Sequence, residues 1–403
     1  MIHLNYITKI LFILFSAWVL MVFGPIKFDY YSDVNIVLAV MMFVIISSFY
    51  IGSKVKNKFL INDYSNARSK ILIFWFSKVS ILVFISSIAL LYLAIKNGYS
   101  VENLINEGSE VRDLKKDTSL FKKILSFIAY QGYGFIPILI VKKYRLMFSR
   151  NIQLIYVLSL IVLFSLVLLQ AGRTIFLVLA ISLFISHIVL GAKLNFKKIT
   201  ISIVLLIVAA VLLQILLELR VSENYLQSLI NETQFRYNLI DSSTPSILQF
   251  LTFTNYFAGP LVGFSYLIEA SNNVDLLFND SLGVIAPFIY AAPTNDQVLL
   301  DNLEGLGHSS SAWLTGYGAI IAWHGFIPFV FFIIILYFNI AKMLKRWKSK
   351  PSLYNYLSLF WVLYLVLFIN FYYPKDYIFT INIFVVYVLV NMLYLVIGNI
   401  KKF

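Results

Sequence analysis

The chain contains no cysteine. Disulfides, thiolate nucleophiles and cysteine-ligated metals are excluded, and the redox compartment is left open. Charge is scarce too. Asp, Glu, Lys and Arg make up 13% of the 403 residues, where a soluble domain carries about 25%. The histidines are His3, His187, His308 and His324, and no two stand at metal-ligand spacing. The sequence has no G-x-S-x-G, no H-E-x-x-H, no P-loop and no paired-Asp metal motif. Internal repeats and low-complexity tracts are also missing. These absences leave no metal, no cofactor and no common nucleophile to argue from.

What fills the chain is apolar sequence. Hydrophobic residues reach 60% and mean hydropathy is +0.85, which defines an all-α polytopic membrane protein. A span needs about 20 apolar residues. Ten stretches qualify: 8–23, 35–52, 71–95, 121–141, 153–171, 173–190, 200–219, 312–340, 352–372 and 377–398. The first lacks a small-residue cleavage site and reads as a retained span. The net charge of +13 comes from 32 Lys and Arg against 19 Asp and Glu. In a membrane protein its distribution matters more than any affinity for nucleic acid, which is not expected here.

That distribution alternates. Lys9, the 53–70 connection (Lys54, Lys56, Lys58, Arg68, Lys70), the 142–151 connection (Lys142, Lys143, Arg145, Arg150) and Lys193, Lys197 and Lys198 fall on one side. Lys342, Lys345, Arg346, Lys348, Lys350, Lys401 and Lys402 join them. The positive-inside rule makes this side cytoplasmic, with both termini inside. Of the acidic residues only Asp63 lies there.

The outer side then holds a short 24–34 turn, the mixed-charge 96–120 connection, a bare turn at Ala171–Gly172, the large loop Arg220–Ser311, and the hairpin 372–376. The chain thus divides into spans one to seven (1–219), the loop (220–311) and spans eight to ten (312–403). Within the loop, 246–269 is apolar but interrupted by Asn255, Gly259 and Pro260, and 283–292 is a second apolar run. These are expected as helices at or dipping into the outer interface. If both crossed, the count would be twelve.

The chemistry-bearing residues are cations on the side where positive charge is least expected. Arg173 sits between two apolar spans, so it must lie at the outer membrane surface. It reads either as a snorkelling anchor or as a phosphate ligand, since guanidinium matches phosphate oxygens bidentately. Arg220 ends span seven, with Glu223 as its ordinary partner. Arg236 has Glu232 at i−4, and Arg112 lies among acids and lysines that are ordinarily solvated. His308 precedes span eight in a Gly- and Ser-rich turn. It reads as a cap-region residue, or as a donor or base near neutral pH. His324, sixteen residues on, would lie roughly 24 Å deeper along a continuous helix. Lys78 reads as snorkelling to the cytoplasm. No acidic residue falls mid-span, which argues against an acid-relay transporter.

Together these features resemble the bacterial Wzy-type O-antigen and oligosaccharide repeat-unit polymerases, related to the O-antigen ligases. The resemblance is carried by the topology and by three local features. These are Ala171-Gly172-Arg173-Thr174 opening a span, Arg220 opening the large loop, and Gly307-His308-Ser309 running into Leu314-Thr315-Gly316-Tyr317-Gly318 and Gly325. Ligases of this layout often carry His-Asn where His308 is followed by Ser309.

The resemblance implies a GT-C-like, metal-independent glycosyltransferase of the bacterial inner membrane. Its donor and acceptor would be undecaprenyl-pyrophosphate-linked oligosaccharides, for lipopolysaccharide, capsule or exopolysaccharide, and a chain-length regulator would be a partner. Arg173, Arg220 and His308 take the catalytic positions. Arg112, Arg236 and Tyr237 are second-rank substrate contacts, and loop tyrosines such as Tyr225, Tyr237 and Tyr256 would stack on sugars. The alternatives are an O-antigen ligase and, from another class, a lipid-linked oligosaccharide flippase or other transporter.

Overall fold

A computed structural model describes residues 2–24, 26–55, 65–98, 120–169, 181–189, 254, 258–269, 320–321, 325–369 and 392. Among these residues the structure is helical, with no strand. The helices are α1 (Ile2–Phe23), α2 (Asp33–Lys54), α3 (Ser65–Lys96), α4 (Leu120–Gly134), α5 (Ile136–Ile140), α6 (Lys142–Arg145), α7 (Arg150–Leu169), α8 (Phe326–Ser349) and α9 (Leu353–Ile369). A π-helical turn covers Phe184–Val189, and residues 258–269 are helical.

Among the described residues four helices are long and apolar enough to cross a membrane: Asp33–Lys54, Ala67–Lys96, Leu120–Ile140 and Phe326–Ser349. The pair Tyr6–Phe12 and Leu14–Phe23, bent by 42°, makes a fifth if the two pieces are counted as one span. Arg150–Leu166 and Leu353–Leu367 are shorter apolar helices. The chain is a multi-pass helical membrane protein. Spans seven and ten of the sequence reading lie outside the described residues, apart from Met392. The chain divides into two compact units: unit 1 is 1–60, 232–349 and 362–377, and unit 2 is 61–231, 350–361 and 378–403.

In unit 1, α2 and α8 pack closely because their facing residues are small. A Cβ on Gly52 would come within 2.6 Å of the Phe338 carbonyl oxygen and 3.1 Å of the Ala341 Cβ. Ser48, one turn earlier, is buried and donates to the Val44 carbonyl at 2.7 Å. Ser48-x-x-x-Gly52 is thus a small-xxx-small pair that lets backbones approach. Just beyond it the Lys345 ammonium donates to the Ser53 and Val55 carbonyls at 3.4 and 3.2 Å. A cation there satisfies carbonyls at the C-terminal end of α2 and complements its dipole. The C-terminal ends of α2 and α8 therefore lie together. At the other end of α2, the Trp18 indole N–H donates to Asn35 Oδ1 at 2.8 Å, so α1 runs antiparallel to α2.

Helix α8 corrects one expectation. The span expected over 312–340 is interrupted at Gly325, whose φ is 85°. The Gly325 N–H donates to the Ile321 carbonyl at 2.7 Å, a left-handed helix cap. The membrane-length helix starts only at Phe326 and carries Lys342, Lys345, Arg346 and Lys348 on its last turns.

In unit 2, α3 is the long element, with 32 residues, or roughly 48 Å. Its serines donate back to carbonyls in the preceding turn, as Ser77 does to Ile73 and Ser87 to Val83. This satisfies each hydroxyl without a neighbour. Phe76 centres an aromatic cluster, with ring centroids of Phe148, Tyr156 and Phe135 at 4.5, 5.0 and 5.1 Å. Lys78 reaches back one turn over the Phe74 ring, 5.9 Å from its centroid, in the direction of Arg68 and Lys70. That agrees with the snorkelling reading.

Candidate functional site

Arg112, Arg173, Arg220, Arg236, Tyr237 and His308 all lie outside the described residues. So do Glu223, Glu232, His324, Tyr225 and Tyr256. The structure neither brings them together nor separates them.

What the described residues do assemble is the end of unit 1 opposite the C-termini of α2 and α8, where Lys27, exposed in the turn between α1 and α2, stands beside the acidic residues. Helix 258–269 belongs to the large loop, and Gly259 and Pro260 fall in its first described turn, where a proline needs no N–H of its own. Ala258, Leu261, Phe264, Ser265, Leu267 and Ile268 are all buried. A helix lying on an interface would leave one face open; this one is packed on nearly every side.

The turn between α1 and α2 closes onto it. The Tyr31 backbone N–H donates to Ser265 Oγ at 3.2 Å, while that hydroxyl donates to the Val262 carbonyl at 2.7 Å. Next to this bond the Tyr31 and Tyr266 rings meet edge to face, with centroids 5.2 Å apart. Burial pushes the Tyr266 phenol up, and Tyr31 and then Asp29 add to the shift. Tyr266 therefore keeps its proton near neutral pH and remains a hydrogen-bond donor.

The carboxylates of the described residues are Asp29, Asp33 and Glu269. Asp29 and Asp33 are exposed within two residues of Tyr31, and Glu269 is one turn past Ser265. Half-buried aromatics (Trp18, Tyr30, Tyr31, Tyr266) thus stand beside carboxylate acceptors and a phenol donor. This mixture suits a hydroxyl-rich ligand: ring faces cover apolar C–H surfaces while carboxylates accept hydroxyl protons. The sequence signal for it was the aromatic and acidic content of Phe28-Asp29-Tyr30-Tyr31-Ser32-Asp33, which shortness alone made easy to overlook.

Unit 2 offers a buried polar region at a helix break. Pro137 lacks an N–H and cannot continue α4, so the chain restarts as α5. The carbonyls released nearby are taken by side chains: Trp361 Nε1–H donates to the Gly134 carbonyl at 2.9 Å, and the Tyr156 hydroxyl to that of Gly132. Non-helical backbone is tolerated in an apolar surround only when satisfied in this way. The Tyr356 hydroxyl donates to Ser186 Oγ, in the π-helical turn that also holds His187, at 3.0 Å. Gln131 Oε1, Ser182 Oγ and Ser358 Oγ are buried with no hydrogen-bond partner among the described residues. Among the described residues no group of three or more His, Cys, Asp or Glu is placed to hold a metal.

In comparisons with known proteins the chain matches no family model, no curated protein and no solved structure.

Proposed function

We propose that the chain is a Wzy-type polymerase joining undecaprenyl-pyrophosphate-linked oligosaccharide repeat units at the outer face of a bacterial inner membrane. One observation carries the reading: arginines at the outer ends of apolar spans, Arg173 in Ala171-Gly172-Arg173-Thr174 and Arg220 at the mouth of the only large loop. The GT-C-like fold and the ten-span count belong to the same proposal.

In the reaction an acceptor hydroxyl oxygen bonds to the anomeric carbon of the donor glycan. The bond from that carbon to the pyrophosphate oxygen breaks, and undecaprenyl pyrophosphate leaves with the electron pair. The hydroxyl proton passes to solvent or to the departing phosphate. Negative charge builds up on the leaving group, so cations preorganised beside it stabilise the transition state most. Arg173 and Arg220 take that role and His308 assists. Arg112, Arg236 and Tyr237 contact the glycan. The aromatic and carboxylate end of unit 1 has the chemistry of a glycan-facing surface.

The test is surface-glycan length on a gel after deletion of the gene and complementation. Deletion leaves single-repeat product and wild type restores a ladder. Arg173→Ala fails to restore it, with a loss on the order of 10²-fold in polymer yield. Glycan left wholly unattached after deletion would indicate a ligase. Repeat units trapped on the cytoplasmic leaflet would indicate a flippase. Wild-type ladders from both Arg173→Ala and Arg220→Ala would defeat the proposal.

A further inference from the structure

Three elements of unit 2 meet at the helix break, and each brings a buried oxygen that their packing leaves unused. The Trp361 indole ties α9 to the Gly134 carbonyl at the end of α4. The Tyr356 hydroxyl ties α9 to Ser186 in the π-helical turn. Gln131 precedes Gly134 by three residues, Ser358 precedes Trp361 by three, and Ser182 precedes Ser186 by four. Each therefore stands about one turn from one of these two bonds. Gln131, Ser358 and Ser182 are 7%, 3% and 1% exposed. Gln131 Oε1, Ser358 Oγ and Ser182 Oγ have no hydrogen-bond partner among the described residues.

The kind of group left over selects the ligand. The Gln131 amide nitrogen donates to the Phe127 carbonyl at 3.2 Å, so what remains of that side chain is an acceptor. A helical serine ordinarily satisfies itself on the carbonyl four residues back. Ser80, Ser87 and Ser159 of this unit do so at 2.7, 2.6 and 2.8 Å. Ser182 and Ser358 do not, and their lone pairs stay open. Helix α4 ends at Gly134 within the membrane-length stretch Leu120–Ile140, which brings the negative end of its dipole to the same region. The surplus is thus of acceptors, and it calls for positive charge. Divalent cations draw on carboxylates, and unit 2 has none among its described residues. Neutral oxygens at the C-terminal end of a broken membrane helix suit a monovalent ion. Water would supply donors but no charge.

We propose that unit 2 binds one sodium ion through Gln131 Oε1, Ser182 Oγ and Ser358 Oγ. The ion ties the Pro137 break to α9 and to the π-helical turn. It offsets the cost of burying bare acceptors in an apolar surround. Its task is to hold a bent span together, and it takes no part in glycosyl transfer.

The experiment is thermal unfolding of the purified full chain while sodium chloride replaces choline chloride at constant ionic strength, with radioactive sodium binding measured alongside. Sodium raises the midpoint by roughly 3 °C and the effect saturates. Bound sodium reaches about one ion per chain. Gln131→Leu and Ser358→Ala each move the sodium dependence to about tenfold higher concentration. Ser165→Ala leaves it unchanged, since that hydroxyl donates to the Ile161 carbonyl at 3.1 Å in an exposed bond on α7. If Gln131→Leu does not fold, Ser358→Ala carries the same prediction. A midpoint indifferent to the exchange of choline for sodium would overturn the proposal and leave the region to water. Sodium binding by Gln131→Leu and Ser358→Ala as tight as by the wild type would overturn it too, by placing the ion elsewhere. So would an equal loss from Ser165→Ala, which would mean a general loss of stability. None of these outcomes depends on glycan polymerisation.

Discussion

Gly52 shows how much of the packing of unit 1 rests on a missing side chain. A methyl group there would collide with the Phe338 carbonyl oxygen at 2.6 Å, and backbone cannot swing aside as a side-chain tip can. Gly52→Ala must push α2 and α8 apart, at a cost of about 1–3 kcal/mol. We expect a melting temperature several degrees lower for the purified protein, read by tryptophan fluorescence. An unchanged value would show that the helices do not approach this closely. Ser48 and Gly52 are small residues one turn apart, but a reading by apolar spans passes over them and cannot name their partner, because hydropathy says where a helix lies and not which helix faces it. The candidate arginines show the reverse case. Arg173 is legible because position alone singles out a cation between two apolar spans. What it binds depends on distances that spacing cannot supply.

Two helices show where pattern reading works and where it fails. The stretch expected as a span over 121–141 is a membrane-length element, Leu120–Ile140, yet inside it Pro137 forces a break into α4 and α5. Proline's missing N–H makes such a break readable. The remedy is not, since Trp361 comes from far along the chain to take the Gly134 carbonyl. Trp361→Phe keeps the ring and removes the donor, leaving a buried carbonyl unpaired at about 1–3 kcal/mol. Lower thermal stability, with helix content by circular dichroism unchanged, is the expected outcome. No loss of stability would mean that water or another group satisfies that carbonyl. For α8 the expected start failed at Gly325, because a hydropathy window runs through a lone glycine without registering its left-handed φ of 85°. Its end failed because the lysines stay on the helix, their long stems reaching outward while the backbone remains regular.

The arrangement of charge is the property the sequence disclosed best. In unit 1, Lys9, Lys54, Lys342, Lys345, Arg346 and Lys348 lie at one end, and Asp29, Asp33 and Glu269 at the other with the single cation Lys27 among the described residues, as the alternation along the chain implied. The division into two units was not legible, because it depends on non-local packing that local apolarity does not encode. Topology can be measured cleanly in a cysteine-free chain. With single cysteines introduced as Ser32→Cys and Ser349→Cys, a membrane-impermeant maleimide should label the first on intact cells and the second only after permeabilisation. The opposite pattern would invert the molecule and place Arg173 and Arg220 on the wrong side for the proposed chemistry.

The central claim is glycosyl transfer between lipid-linked glycans, and its most direct measurement uses purified protein in liposomes with undecaprenyl-pyrophosphate-linked repeat units. The account predicts glycans in whole multiples of the repeat, one undecaprenyl pyrophosphate released per bond formed, and loss of both with Arg173→Ala. Movement of intact repeat units across the bilayer without elongation would contradict it.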